Sequence, residues 1–367
     1  MKILMTVDAV GGVWTYALEL SGALARHDIE VVLACMGPHP VAAQLENLRR
    51  LPNVRIELSQ YKLEWMEQPW HDVERAGEWL LALADRERVD VVHLNGYVHG
   101  ALPWHRPVLV VAHSCVYSWW EAVHGCEPPA EWQIYRERVA SGLHSADCVV
   151  APTRPFLESV RRIYGEPRRA VTIHNGRTAP HDDRPPSAQR LPIVLASGRI
   201  WDRAKGIDVL DAAMRGLAWR GYVAGSAVGP DRSSTQLTSL RRLGALQPAD
   251  LDAWLQSAAI FAHAARYEPF GLAPLEAALG GCALVLADLP TLRELWDEAA
   301  MFVPVGDAQS LRHALDELIA QPGRRLAVAA ESWQRARHYR PQIMCEQYLA
   351  LYRELASGSR PLRQAVA

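Results

Sequence analysis

Residues 260–277 read I-F-A-H-A-A-R-Y-E-P-F-G-L-A-P-L-E-A. Ile260–Ala264 is a short apolar run of strand character, Ala265–Gly271 is a loop, and the stretch around Leu272–Leu279 has helical spacing. Gly271 allows close backbone approach, and Pro274 fits a first helical turn. Unpaired N–H groups at such a helix start suit an anion, and a diphosphate matches them well. Glu268 lies in the loop and Glu276 about two turns later. One carboxylate can accept bonds from sugar hydroxyls and the other can hold a ribose. A pair of glutamates at this separation is weak on its own, because a solvated loop and helix surface would use them equally. Their place after a strand and across a helix start makes the segment far more specific.

The same alternation extends in both directions. Strand character recurs at Lys2–Val7, Glu30–Cys35, Val54–Leu58, Asp90–Leu94, Val108–Ala112 and Cys148–Ala151, with helical spacing at Val13–Ala25, Val73–Asp85 and Pro155–Tyr164. The pattern breaks at Arg177–Leu191, which is polar, Pro-rich and aperiodic like a linker. It resumes with strands at Ile193–Ala196, Tyr222–Ala224, Ala283–Ala287 and Met301–Val303. Helices are expected at Ile207–Met214, Leu251–Ala258, Ser310–Ile319, Arg324–Arg337 and Gln342–Leu355. Short β-branched strands separated by helices predict an α/β fold of parallel sheets covered on both faces. At 367 residues the chain suits two doubly wound domains facing across a cleft, with ligands at the carboxyl ends of the strands.

Composition narrows the field. Apolar residues make up 49% and charged residues 22%, as in ordinary globular proteins, and the net charge of −2 offers no global attraction to nucleic acid. The apolar run at Lys2–Val7 is too short for a signal peptide, and no stretch is long enough to span a bilayer. The six cysteines contain no C-x-x-C, so neither zinc nor a disulfide framework is indicated and a cytoplasmic setting is expected.

Other loops join the first. Gly198-Arg199-Ile200-Trp201-Asp202-Arg203-Ala204-Lys205-Gly206 follows a strand and sets Arg199 and Lys205 six residues apart between glycines. Arg199 and Lys205 match a diphosphate whose charge grows as it leaves, although loop cations are often merely solvated. Gly11-Gly12 follows the first strand and opens the first helix, but is not a G-x-G-x-x-G fingerprint. His113 follows the strand Val108–Ala112, and Asn175-Gly176 closes the first half. Two signals are discounted. Asp250-Leu251-Asp252 resembles a metal-binding D-x-D but stands at a helix start, where acidic residues cap N–H groups. His93 and His99 lack a third ligand at suitable spacing, so structural or substrate-contact roles are expected.

Taken in order, Gly11-Gly12-Val13, His113, Asn175-Gly176, Gly198-Arg199 with Lys205-Gly206, and Glu268 with Glu276 resemble the retaining glycosyltransferases of family four. The resemblance implies a GT-B fold of two Rossmann-like domains. Residues 1–178 would form the N-terminal acceptor-side domain, joined by a C-terminal helix at 342–360. Residues 179–191 would be the linker and 192–341 the nucleotide-sugar donor domain. It also implies transfer from a nucleotide-diphosphate sugar as co-substrate, without metal or other cofactor and with retained configuration. Arg199 and Lys205 would neutralise the diphosphate, while Glu268 and the backbone of Phe270-Gly271-Leu272 hold the donor sugar and phosphate. Glu276 would bind the ribose, and His113 would touch the sugar or the reacting face. Gly11, Gly12, Asn175 and Gly198 complete the donor-binding set. Two departures stand out: Ala283 where proline is frequent, and Arg177 where valine is common.

The implied acceptor is a carbohydrate or glycolipid hydroxyl, in polysaccharide, lipopolysaccharide or glycolipid assembly. Trp14, Trp119 and Trp120 could stack on sugar rings, although large aromatics more often anchor cores. Arg154, Arg161, Arg162, Arg168 and Arg169 read as a solvated helix face, with peripheral contact at the inner face of a membrane as the alternative. Two other readings share the fold: a sugar-nucleotide epimerase or hydrolase, and a non-catalytic sugar-nucleotide-binding protein.

Overall fold

The computed structural model describes residues 1–179, 185–187, 189–229 and 235–358. They divide into two compact units. The first holds Met1–Glu121, Cys126–Gly176 and the described chain from Pro341 onward; the second holds Ala122–Gly125 and the described part of Arg177–Arg340.

The first unit contains a seven-stranded sheet of β1 (Lys2–Asp8), β2 (Glu30–Met36), β3 (Val54–Leu58), β4 (Val91–Leu94), β5 (Val108–Val111), β6 (Cys148–Ala151) and β7 (Ala170–Thr172), in the order β3-β2-β1-β4-β5-β6-β7. The second contains β8 (Leu191–Ser197), β9 (Arg220–Ala224), β10 (Leu240–Gly244), β11 (Ala258–His263), β12 (Ala283–Ala287) and β13 (Met301–Val303), in the order β10-β9-β8-β11-β12-β13. Every pairing among the described residues is parallel, as in Lys2↔Glu30 through Asp8↔Met36 and Ile193↔Arg220 through Ser197↔Ala224. In each sheet the winding reverses beside the first strand, between β1 and β4 and between β8 and β11. Such switch points open a crevice at the carboxyl ends of the strands.

The central strands are nearly continuous apolar runs because both of their faces are covered. Along β8, Ile193 and Leu195 enter one core cluster while Val194 and Ala196 enter the other. The same alternation separates Phe261 from Ile260 and Ala262, and Leu284 and Leu286 from Ala283 and Val285. This is the two-residue period of a strand with hydrophobic layers above and below. In the first unit, Met344, Cys345, Tyr348, Leu349 and Tyr352 of the final helix, Pro341–Ser357, share a core with Trp14, Tyr16 and Leu20. Residues 359 and 360 of the expected terminal helix lie outside the described residues.

Several elements differ from the sequence reading. Leu240–Gly244 is a strand despite its charged sequence, because it pairs along a sheet edge, whereas Ala170–Thr172 is the strand expected to end the first half before Asn175-Gly176. Helices Ala42–Leu48, Val116–His124, Gln133–Ser145 and Pro290–Trp296 were also unforeseen. The helix expected from Leu251 starts at Pro248, with Gln247 at its N-cap. Asp250 is therefore not the cap; it lies in the first turn, where its charge favours the helix dipole. Residues 180–184 and 188 of the expected linker lie outside the described residues, and β8 begins within its last position, at Leu191.

Arg190, also assigned to that linker, is a structural anchor. Its guanidinium donates to the carbonyls of Leu255 at 3.1 Å and Ala258 at 2.7 Å, and to that of Gly280. These carbonyls lie at the ends of helices Pro248–Ser257 and Leu272–Leu279, where the backbone lacks intrahelical donors and the dipole is negative. One cation thus closes two helix ends. Arg190→Met should lower the unfolding free energy by about 2–4 kcal/mol, as read by urea denaturation, because the carbonyls of Leu255 and Ala258 would keep only the weak Cys282 thiol donor and that of Gly280 would lose the guanidinium.

Candidate functional site

In the second unit the loops after β8 and β11 meet at the switch point. Buried Asp202 organises the first: Oδ1 accepts from Ala204 N at 3.0 Å, and Oδ2 accepts from Arg199 at 2.8 and 3.2 Å. Gly206 follows with φ +62°, and a Cβ there would lie 1.8 Å from the Ala264 carbonyl oxygen. Only glycine permits that approach. The backbone N–H of Arg266 donates to Ala204 O at 2.7 Å, lacing the two loops together.

This approach brings Lys205 to Glu268. Lys205 Nζ donates to Glu268 Oε2 at 2.8 Å, and His263 Nε2, on the last residue of β11, lies 3.2 Å from the same oxygen. Thr291 Oγ1 donates to the Glu268 carbonyl at 2.6 Å, fixing the backbone beneath the carboxylate. Burial opposes the charged form of Glu268, but the Lys205 charge and the His263 bond outweigh it and hold the carboxyl well below its ordinary range. Glu268 is therefore an oriented, ionised acceptor, and Lys205 an oriented cation.

Immediately beyond, Gly271 at φ +94° is the N-cap of helix Leu272–Leu279. Leu275 N–H donates to Gly271 O at 3.2 Å and Pro274 has no N–H, so Leu272 and Ala273 supply the first-turn N–H groups that lack an intrahelical acceptor and suit an anion. Phe270 is buried in the core of this unit. Glu276 Oε1 accepts from Arg177 Nε at 2.8 Å.

The first unit carries a separate polar network at the ends of β1 and β4. Asn95 Nδ2 donates to Thr6 O at 2.7 Å and its backbone N–H donates to Thr6 Oγ1 at 2.8 Å. That pairing turns Asn95 Oδ1 toward His113 Nε2, at 2.8 Å, and His93 Nε2, at 3.2 Å. Since an amide oxygen only accepts, His113 carries its proton on Nε2 and presents Nδ1 as an acceptor. His93 Nδ1 in turn takes the Tyr352 hydroxyl at 2.6 Å. Burial lowers both His93 and His113 to about 3, leaving both neutral at pH 7.

The expected residues thus fall into two groups. Gly198, Arg199, Lys205, Glu268, Phe270, Gly271, Leu272 and Glu276 belong to the second unit; Gly11, Gly12, His113 and Asn175 belong to the first. Gly11, at φ +98°, is the N-cap of helix Gly12–Leu24. Asn175 is buried, and the next N–H, of Gly176, points to Met344 Sδ at 3.3 Å. His93 and His99 are buried structural histidines, His99 bonding Val73 O at 2.9 Å. Trp14 is a core residue, while Trp119 and Trp120 are half-buried and meet edge to face. Arg161, Arg162 and Arg169 pair with Glu166, Glu121 and Glu354, as on a solvated face. Sequence reading missed Asp202, His263 and Asn95, although each is a polar residue at or just beyond a strand end. Tyr352 carried no such signal, being 259 positions from its partner His93. Among the described residues no group of three or more His, Cys, Asp or Glu is arranged to hold a metal ion, and no helix is long and apolar enough to cross a membrane.

Comparison with known proteins places this geometry in a family. Residues 10–179 match the model described as Glycosyltransferase Family 4, and residues 191–321 match Glycosyl transferases group 1. The chain belongs to the family-four glycosyltransferases, with the GT-B fold. It is 26% identical to the D-inositol 3-phosphate glycosyltransferase of Xylanimonas cellulosilytica, over 98% of this chain and 94% of that protein. The sucrose-phosphate synthase of Thermosynechococcus elongatus superposes with a TM-score of 0.80 at 20% identity, covering 98% of this chain and 100% of that one. Anabaena HepE in complex with UDP-glucose gives a TM-score of 0.74 at 16% identity, covering 96% and 100%.

Neutral, buried His93 sets a pH dependence. The unfolded imidazole protonates near 6.5 and the folded one near 3, so the unfolded state binds more protons between those values. Its contribution to stability is complete above that window and is lost as pH falls through it, by roughly 1.4 kcal/mol per pH unit. Urea titrations from pH 7 to 4 should give a shallower decline for His93→Asn than for the wild-type chain.

Proposed function

We propose that the protein is a retaining, metal-independent glycosyltransferase that moves a sugar from a nucleotide-diphosphate sugar to a hydroxyl acceptor. The Lys205–Glu268–His263 cluster beside the helix start at Leu272 carries this reading. An oriented cation and free N–H groups suit a diphosphate, and an ionised carboxylate beside them suits sugar hydroxyls. The solved HepE complexes with UDP and UDP-glucose support a sugar-nucleotide donor for this fold.

In this reading, Lys205, Arg199 and the N–H groups at Gly271 and Leu272 stabilise charge on the departing diphosphate. Glu268 orients the donor sugar and Glu276 takes the ribose. His113, an acceptor at Nδ1, receives a sugar hydroxyl. The anomeric C–O bond to phosphate breaks as the acceptor oxygen bonds the same carbon on the same face. The acceptor proton passes to the departing phosphate oxygen, so no side chain acts as base. The first unit binds the acceptor, a carbohydrate or glycolipid of polysaccharide, lipopolysaccharide or glycolipid assembly. The relative named for D-inositol 3-phosphate, a polyol phosphate, supports a hydroxyl acceptor.

Release of nucleoside diphosphate from a panel of sugar nucleotides and acceptors, with product NMR, tests the proposal. Glu268→Gln should lower kcat by about 10²–10³-fold, the range for removing one preorganised electrostatic contact. EDTA should leave the rate unchanged and the product should keep the donor's anomeric configuration. Full activity in both Glu268→Gln and Lys205→Ala would reject the site. An altered free sugar nucleotide without acceptor product would favour an epimerase.

A further inference from the structure

We infer that Arg177 is a positioning residue for nucleotide recognition, holding Glu276 for the ribose diol; this rests on the ribose role proposed for Glu276. Arg177 Nε donates to Glu276 Oε1 at 2.8 Å, with both side chains largely withdrawn from solvent at 22% and 17% exposure. The base from which the guanidinium extends is itself fixed. The Arg177 backbone N–H donates to Tyr339 O at 3.0 Å, and the Tyr339 hydroxyl donates to Leu295 O at 3.0 Å. The Tyr339 ring packs against Trp296 at 5.8 Å and meets Phe270, in the donor loop, edge-on at 6.0 Å. One rigid core therefore supports both the loop at Phe270 and the cation that engages Glu276.

A glutamate has three side-chain torsions, and ordering them on binding weakens affinity. An arginine bonded to one carboxylate oxygen selects the rotamer and plane in advance, and its directional N–H does so more strictly than an ammonium would. A valine at this position would offer no such donor. In this chain, recognition of the ribose depends on a residue outside the shared motif.

The discriminating measurement is the affinity ratio between a ribonucleotide and its 2′,3′-dideoxy form. UDP, GDP and ADP are titrated calorimetrically, and the tightest is compared with its dideoxy analogue. The wild-type protein should prefer the ribo form by about tenfold, equivalent to roughly 1.4 kcal/mol. Arg177→Val should reduce the ratio to about twofold, with affinity for the dideoxy form unchanged. Loss of affinity for both forms equally would assign Arg177 a general structural role and overturn the inference. So would a full ratio in Arg177→Val alongside a lost ratio in Glu276→Ala. A full ratio in Glu276→Ala would instead reject the ribose role beneath it. Arg177→Met, which keeps most of the stem, carries the same comparison if the valine variant does not fold.

Discussion

The close approach of Gly206 to the end of β11 is the constraint on which the second unit's site depends. A Cβ at residue 206 would occupy the position of the Ala264 carbonyl oxygen, so any other residue would push the two loops apart. Because they touch, Lys205 and Glu268, 63 residues apart in the chain, form an ion pair with little solvent between them. The switch point supplies the crevice, and the missing side chain at 206 lets opposite charges share it.

That ion pair changes how the cations should be pictured. Lys205 does not wait in solvent; its ammonium is already directed by Glu268, and Glu268 is held by both Lys205 and His263. Arg199 is likewise aligned by Asp202, which also caps the turn leading to Lys205. A diphosphate would therefore meet donors whose directions are set in advance. Preorganised dipoles and charges need little rearrangement as charge develops, which is where electrostatic catalysis has its strength.

The first unit uses a different device. Its His93 and His113 are neutral, and an amide anchored to Thr6 decides which nitrogen of His113 bears the proton. The final helix takes part through the Tyr352 hydroxyl on His93, so residues from the two ends of the chain share one polar network and one core.

The strand–loop–helix segment at residues 260–277 was legible because its chemistry is local: apolar runs, a glycine able to adopt positive φ, and carboxylates at fixed separations along one backbone. The same local logic identified Lys205, Arg199 and His113 as residues that follow strands. Edge strands such as Leu240–Gly244 escaped it, since a charged run becomes a strand only when a neighbour supplies hydrogen bonds. Arg190, placed in a linker by its Pro-rich surroundings, proved to close two helix ends whose carbonyls come from distant sequence. The amino-acid sequence by itself determined the α/β class, the two-domain pattern and the residue types at the strand ends, because these follow from periodicity and turn chemistry. Tertiary structure alone decided the pairings of Lys205 with Glu268, Arg177 with Glu276 and His93 with Tyr352, because each joins residues brought together only by sheet order and core packing.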